Sequence, residues 1–192
     1  MNSYTIHLDP VVKLTEDQFY QLCQNNPDLK FERNAQGDLM IMPPTGGETG
    51  RRNSDLLGDL IIWNRQANLG YVFDSSTCFR LPNGANRSPD AAWVVRDRWE
   101  ALSTDQREKF PPLCPDFVVE LMSPTDTLSA IQAKMLEYQG NGAKLGWLLN
   151  RSERQVEVYR LNQSVEVLHS PDSLSGEAVL LGFVLNLEAI WR

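Results

Sequence analysis

The sequence is poor in residues that cross-link a chain or anchor it in a membrane. Its three cysteines, Cys23, Cys78 and Cys114, are odd in number, far apart and without CxxC spacing. This pattern argues against a disulfide framework or a zinc cage and favours a reducing cytoplasm. No run of about 18 apolar residues occurs, so we expect no membrane span. The opening MNSYTIHLDPVV lacks the basic and apolar stretches of a secretory signal.

Positive charge is also scarce. The 192 residues include 18 Lys and Arg against 25 Asp and Glu, for a formal net charge of −7. Nucleic-acid binding by bulk electrostatics is therefore not expected, because phosphate contacts need Lys and Arg. Arginines gathered in the first half could still form a local basic face, with a solvated surface as the alternative. They are Arg51, Arg52, Arg65, Arg80, Arg87, Arg96 and Arg98.

Helix and strand signals alternate along the chain. A capping box at Thr15-Glu16-Asp17-Gln18 predicts a short helix that ends near Cys23. Two short runs, 29–33 and 38–42, predict a hairpin, and apolar residues at helical spacing predict a long helix over 48–67. One α/β (α+β) domain, a mixed sheet flanked by helices, fits this order. The remaining predictions are helices over 97–109 and 126–139, paired strands over 71–73 and 77–81, a polar loop over 82–88, and strands over 90–95, 117–122, 145–149, 155–159, 165–168 and 179–185.

Glu120 stands inside a nearly continuous apolar run over 117–122. Such a run predicts a central strand that is covered on both faces. A carboxylate there is costly to bury unless it is paired or bound to a cation. The alternative is a solvated edge strand, but Val118 and Met122, its neighbours at alternate positions, are apolar. Glu120 is therefore the first candidate for a functional residue.

A second acid must come from elsewhere in the chain. Pro-Asp occurs four times, at Asp28, Asp90, Asp116 and Asp172, so the dipeptide alone carries no signal. Asp116 precedes Glu120 by four residues in one strand, which separates their Cα atoms by about 13 Å. That is too far to share an ion held about 2.1 Å from each oxygen. Asp28 and Asp172 lie in polar, turn-like stretches. Asp90 opens a separate apolar strand that can lie beside Glu120, although a turn-initiating role is the alternative.

A positive charge near the two acids is expected from the helix predicted over 126–139. The strand supplies none, because the residue two after Glu120 is Met122. Lys134 falls at the edge of the helix's apolar stripe and can point towards the sheet. There it could orient a water or stabilise developing negative charge. The alternative is a lysine that snorkels outward into solvent.

Four segments carry a resemblance to a known family. They are Ser88-Pro89-Asp90, Pro115-Asp116-Phe117-Val118-Val119-Glu120-Leu121-Met122-Ser123-Pro124, Gln132-Ala133-Lys134-Met135-Leu136-Glu137-Tyr138 and Asn141-Gly142-Ala143-Lys144-Leu145-Gly146-Trp147-Leu148-Leu149. Together they resemble the Uma-two family of restriction endonuclease-like proteins, formerly a domain of unknown function within the PD-(D/E)xK nuclease superfamily. The similarity covers almost the whole chain.

The resemblance implies a single restriction-endonuclease-like domain over 1–192, with a mixed β-sheet flanked by helices. An N-terminal helix and hairpin would occupy 1–45, and the nuclease core would occupy 46–192. By the same resemblance Asp90 and Glu120 are metal ligands and the Leu121 backbone carbonyl is a further ligand. Lys134 is then the catalytic lysine, moved onto the helix. Met122 stands where the superfamily motif has its lysine.

Two weaker candidates complete the set. Related nucleases often place an acid on the first long helix, and Glu48 stands near such a start, although acids at a helix N-terminus are favoured by the dipole anyway. Tyr138, four residues after Lys134, could touch DNA, with core packing as the alternative.

The expected function is hydrolysis of DNA phosphodiester bonds with Mg²⁺ or Mn²⁺, because the proposed ligands are hard oxygens. DNA binding should be weak and salt-sensitive, since the chain is acidic. Nucleases of this superfamily often dimerise to cut both strands, so a homodimer is expected by analogy. Two alternatives stay open: a non-catalytic interaction protein on the same fold, and a metal-dependent hydrolase of another phosphoester.

Overall fold

The computed structural model describes residues 4–192, and no helix in this range is long and apolar enough to cross a membrane. The helices are α1 (Glu16–Asn25), α2 (Gly47–Ala67), α3 (Arg96–Glu100), α4 (Thr104–Glu108), α5 (Leu128–Gly140) and α6 (Glu188–Trp191). The strands are β1 (Tyr4–Ile6), β2 (Lys30–Arg33), β3 (Leu39–Met42), β4 (Gly70–Asp74), β5 (Phe79–Arg80), β6 (Asn86–Arg87), β7 (Ala91–Val95), β8 (Phe117–Leu121), β9 (Leu145–Asn150), β10 (Gln155–Arg160), β11 (Glu166–His169), β12 (Ser173–Ser175) and β13 (Val184–Asn186).

A six-stranded mixed sheet in the order β11-β10-β9-β8-β7-β4 forms the centre of the fold. β8 and β9 are parallel and are joined through α5, as a parallel pair requires a crossover connection. β7 runs antiparallel to β8, with Ala91 opposite Val119 and Trp93 opposite Phe117. Every residue of β8 is buried, which confirms the predicted central strand. The strand of Asp90 does lie beside that of Glu120.

The two faces of this sheet are covered by different elements. One face packs against α2 and the C-terminal segment through a cluster that includes Leu60, Trp147 and Leu185. The other face packs against α5, where Met135 and Tyr138 are fully buried. Because side chains alternate along a strand, β8 contributes to both clusters. Its successive residues therefore meet α2 on one side and α5 on the other.

A second sheet, in the order β1-β3-β2-β6-β5, contains the predicted hairpin β2–β3. The predicted pairing of 71–73 with 77–81 is wrong, because β4 pairs with β7 and β5 pairs with β6. The supposed loop after 81 folds back as a tight turn, in which the Leu81 amide donates to Ala85 O (2.8 Å). Gly84 makes this turn possible with a φ of +87°, a conformation that side chains disfavour.

Two further segments differ from the predictions. The helix expected over 97–109 is split into α3 and α4, because Ser103 and Gln106 form a capping box that starts a new helix. The strand expected over 179–185 is only β13, which pairs with the unpredicted β12. Each of these two strands buries one central leucine between exposed residues, a pattern too short to stand out in the sequence.

Candidate active site

Asp90 and Glu120 lie on neighbouring strands at the centre of the main sheet. Asp90 directly precedes β7, and its amide donates to Val119 O at 3.0 Å. The Asp90 carboxylate accepts from the Leu121 amide at Oδ2 (2.8 Å) and from Asn53 Nδ2 at Oδ1 (3.1 Å). The Glu120 carboxylate accepts from Tyr138 of α5 at Oε1 (3.1 Å). The register thus brings the two acids side by side, each in contact with a different helix.

Lys134 reaches the acids from α5. Its Nζ lies 2.8 Å from Glu120 Oε1, 2.9 Å from Glu32 Oε1 and 3.4 Å from the Ser88 carbonyl oxygen. The side chain is only 10% exposed, so the snorkelling alternative does not hold. Burial alone would lower the pKa of Lys134, but the carboxylates of Glu120 and Glu32 outweigh it and raise the pKa. The ammonium therefore stays charged within the site.

Glu32 is a site residue that the sequence did not predict. It lies on β2 in the second sheet, is 2% exposed, and accepts from the Ser88 amide (3.0 Å) as well as from Lys134. Arg87 Nη1 lies 3.2 Å from its other oxygen. Burial raises the pKa of Glu32, but Lys134 and Arg87 overcome this and lower it to about 2. In the sequence, Glu32 stands among alternating charged and apolar residues, which is typical of a solvated hairpin, so no signal marked it.

The site carries more buried negative than positive charge. Arg87 also pairs with Glu137, so four carboxylates (Glu32, Asp90, Glu120 and Glu137) surround two cations (Lys134 and Arg87). Burial raises the pKa of Asp90. Burial also raises the pKa of Glu120 to about 7, which the charges on Asp90 and Glu32 favour and Lys134 opposes. Fully ionised, these six side chains have a net charge of minus two, and the Lys30 ammonium also acts on Asp90.

Asn53 of α2 is the second residue that sequence reasoning missed. It donates to Asp90, while its own Oδ1 is buried and has no hydrogen-bond partner within residues 4–192. An unpaired buried carbonyl is costly unless something else binds it. The sequence predicts an acid, Glu48, at the start of this helix, whereas the residue that reaches the site is an amide more than one turn later.

Of the two weaker candidates, Tyr138 contacts a proposed site residue and Glu48, within residues 4–192, does not. Tyr138 is fully buried and donates a hydrogen bond to Glu120. It therefore packs in the core and is not exposed for contact with DNA. Glu48 is 75% exposed and pairs with Arg52 (2.9 Å) and Arg51 (3.8 Å). Within the described part of the chain, no contact joins Glu48 to the two acids. The amide of Leu121 binds Asp90, and a ligand role for its carbonyl stays a prediction.

The oxygen atoms of Asp90, Glu120 and Asn53 are of the kind that bind a hard divalent cation. Residues 4–192 contain no ready-made group of three or more His, Cys, Asp or Glu side chains for a metal. Magnesium, however, is commonly held by one or two carboxylates, with waters that complete its octahedron. Asp90 and Glu120 can supply these carboxylates, and the orphaned Asn53 oxygen lies beside Asp90. A divalent cation would also offset the excess of buried negative charge.

Most arginines that the sequence suggested for a basic face form hydrogen bonds or ion pairs within the protein. Arg52 is buried, and its guanidinium donates to the Ile190 (3.1 Å), Glu48 (2.9 Å) and Arg192 carbonyl oxygens. Arg96 binds Asn68, and Arg98 pairs with Asp116 at 2.9 Å. Arg87 belongs to the acid cluster described above. The structure therefore assigns structural partners to these residues and leaves few for phosphate.

Comparisons with known proteins agree with this fold. A crystal structure titled "a putative nuclease belonging to DUF820 from Anabaena variabilis ATCC 29413" matches with a TM-score of 0.76 and 20% identity, over 93% of this chain and 97% of that chain. This likeness confirms the restriction-endonuclease-like fold. None of the curated proteins matches the chain. A family model described as "Uma2: Putative restriction endonuclease" matches residues 16–188. The chain belongs to the Uma2 family, as its resemblance implied.

Proposed function

We propose that this protein is an endonuclease that hydrolyses DNA phosphodiester bonds with Mg²⁺ or Mn²⁺. The observation that carries the proposal is the surplus of buried negative charge around Lys134. Asp90 directly precedes β7, Glu120 lies on the adjacent β8, and only one ammonium neutralises Glu120. Buried acids without sufficient counter-charge are unstable unless they take up protons or bind a cation.

Asp90 and Glu120 are the proposed metal ligands, together with the Leu121 backbone carbonyl. The Asn53 side chain lies beside Asp90, and its free Oδ1 would bind the ion or accept a hydrogen bond from a water of its shell. A bound divalent ion would polarise the scissile phosphate and lower the pKa of a water. Tyr138 holds Glu120 in its rotamer through the hydrogen bond to Oε1.

Lys134 is the proposed catalytic cation. Its ammonium already lies within hydrogen-bond distance of one proposed ligand, so a phosphate or water next to that ligand is within its reach. It would orient the attacking water or stabilise the charge that develops on the phosphoryl oxygens. Because Glu120 and Glu32 raise the pKa of Lys134, we propose that it acts as a fixed positive charge.

DNA is the proposed substrate because the family is described as restriction endonuclease. The net charge of −7 implies few and local phosphate contacts, so binding should be weak and should fall steeply with salt. A homodimer, which would place two such sites on opposite strands, stays a prediction.

Metal titration followed by a substrate panel tests the proposal. Calorimetric titration of the protein with Mn²⁺ should show saturable binding that EDTA reverses. Supercoiled plasmid and short duplexes should then be cut only with Mg²⁺ or Mn²⁺ present. Absence of both binding and cleavage would favour an interaction protein. Metal binding with hydrolysis of another phosphoester, and none of DNA, would favour the other alternative.

A further inference from the structure

Lys134 has three N–H groups and meets three acceptors. They are Glu120 Oε1 at 2.8 Å, Glu32 Oε1 at 2.9 Å and the Ser88 carbonyl at 3.4 Å. Two of the three acceptors, on β2 and in the segment before β7, therefore belong to residues that are not proposed metal ligands. This division of contacts gives the ammonium one partner that the metal needs and two partners that it does not.

We propose that Glu32 is the positioning residue for Lys134: it retains the ammonium in the site when Glu120 binds a divalent cation. The inference rests on the proposed function and deepens it. Positive charge at Asp90 and Glu120 repels a neighbouring ammonium. Glu32 gives that ammonium a permanent partner, so Lys134 can loosen its contact with Glu120 without leaving the site.

The surroundings of Glu32 suit a fixed partner. Its Oε1 accepts from the Ser88 amide at 3.0 Å, and its Oε2 lies 3.2 Å from Arg87 Nη1. Arg87 is itself paired with Glu137, which holds the guanidinium in place. Charge-assisted bonds of this kind are stronger than neutral ones and fix orientation. Glu32 is thus held from three directions, and at 2% exposure it has no room to turn into solvent.

Glu120 is held less firmly. Both of its polar contacts, from Lys134 and from Tyr138, are made at Oε1. Within residues 4–192, neither a side chain nor a backbone amide donates to its Oε2. Glu120 can therefore exchange the ammonium for another cation and keep the Tyr138 hydroxyl. Of the two carboxylates that share Lys134, Glu120 is the exchangeable one.

The test measures Mn²⁺ affinity by calorimetry in five variants of the full chain. Glu32→Gln confines Lys134 to Glu120, so Mn²⁺ has to compete with a tighter ion pair, and affinity should fall by about tenfold or more. Glu137→Gln is the matched control, because it removes a charge from the same network without touching Lys134. It should weaken binding much less. Lys134→Met and the double variants Glu32→Gln/Lys134→Met and Glu137→Gln/Lys134→Met complete two cycles.

In the Lys134→Met background, Glu32→Gln should lower the Mn²⁺ affinity no more than Glu137→Gln lowers it in that same background. The inference is overturned if Glu32→Gln and Glu137→Gln have equal effects in the parent, or if the effect of Glu32→Gln persists without Lys134. Should Glu32→Gln alone not fold, Glu32→Gln/Lys134→Met lacks both opposed charges and still gives the comparison in the Lys134→Met background. A parent chain that binds no Mn²⁺ overturns this inference and the proposed function together. A parent that binds Mn²⁺ while Glu32→Gln behaves like the control overturns only this inference.

Discussion

Asp116 and Glu120 stand at the two ends of one strand and are both buried acids, yet their surroundings differ. Asp116, fully buried just before β8, accepts from the Val95 amide at 2.9 Å. Arg98 and Lys144 each lie 2.9 Å from its Oδ1, and both cations are partly exposed. Asp116 therefore has two counter-charges, and these can also be hydrated.

Glu120 has the opposite balance. It shares the single ammonium of Lys134 with Glu32 and lies across from Asp90. Its pKa is raised to about 7, first by burial and then by its acidic neighbours against the effect of Lys134. Burial of a carboxylate is thus not what distinguishes the candidate site from the rest of the strand. An excess of buried charge of one sign does, because it stores free energy that a ligand can release.

The largest expected effect separates the two acids. Glu120→Gln, like Asp90→Asn, should abolish cleavage and weaken Mn²⁺ binding severely while the fold is retained. Asp116→Asn should leave Mn²⁺ affinity unchanged and cost about 1–3 kcal/mol of stability, because it weakens charge-assisted bonds at a buried position. Calorimetry with Mn²⁺ and urea unfolding measure the two quantities. Loss of Mn²⁺ binding in Asp116→Asn at unchanged stability would reverse the assignment of roles.

Lys134→Met should give the next largest effect. Removal of one preorganised charge should raise the barrier by about 3–4 kcal/mol, or roughly 10²–10³ in rate. Mn²⁺ affinity should hold or improve, because a repelling charge is gone. The metal-free variant should lose about 3–5 kcal/mol of stability, since Glu32 and Glu120 are left buried without their ammonium, and Mn²⁺ should restore part of it. Single-turnover cleavage and urea melts with and without Mn²⁺ check this, and a variant that cuts as fast as the parent removes Lys134 from catalysis.

Much of the fold could be predicted from patterns that depend on near neighbours. The capping box at Thr15, the continuous apolar run of β8 and the spacing of α2 all predicted their elements. Pairing of short strands was not predictable in the same way. β5 and β6 have two residues each, and their partner is decided by the turn at Gly84 and by packing far away in the sequence.

The residues of the candidate site also fall into those with a local sequence signal and those placed by long-range packing. Asp90, Glu120 and Lys134 were found because each interrupts or borders an apolar run, which is a local signal. Glu32 could not be found, since its burial results from the second sheet bringing β2 against α5 over 102 positions of sequence. Long-range juxtaposition of this kind leaves no periodicity in a single sequence. Asn53 was missed because a neutral amide carries no charge signal.

The pH dependence of stability should distinguish the two carboxylates that share Lys134. The pKa of Glu120 is raised from 4.5 to about 7, so the folded state keeps a proton that the unfolded state releases. Stability of the metal-free protein should therefore fall as pH rises from about 4.5 to 7, on the order of 3 kcal/mol. The pKa of Glu32 is lowered to about 2, so its contribution is present above 4.5 and is lost as pH falls towards 2. Urea unfolding from pH 3 to 8 measures both slopes.

A different variant tests each of the two slopes of stability against pH. Glu120→Gln should flatten the decline above pH 4.5, and Glu32→Gln should flatten the decline below it. Saturating Mg²⁺ should oppose the loss at neutral pH in the parent, because the ion replaces the proton. A parent whose stability is the same at pH 5 and pH 7 without metal would mean that Glu120 titrates like an exposed acid.

The smallest expected effect concerns two lysines, one near Asp90 and one paired with Asp116. Lys144 is used as a counter-ion by Asp116, whereas Lys30, on β2, makes no ion pair in the described part of the chain and lies close enough to Asp90 to lower its pKa against the larger effect of burial. Lys30 is thus available for a substrate phosphate. Lys30→Ala should weaken binding of a short duplex a few-fold, alike for all sequences, and reduce the slope of log K against log salt by about one. Lys144→Ala, the same change at a lysine already paired, should alter neither quantity. Fluorescence anisotropy from 25 to about 200 mM salt measures both, and equal losses in the two variants would show that DNA responds only to the overall charge of this acidic protein.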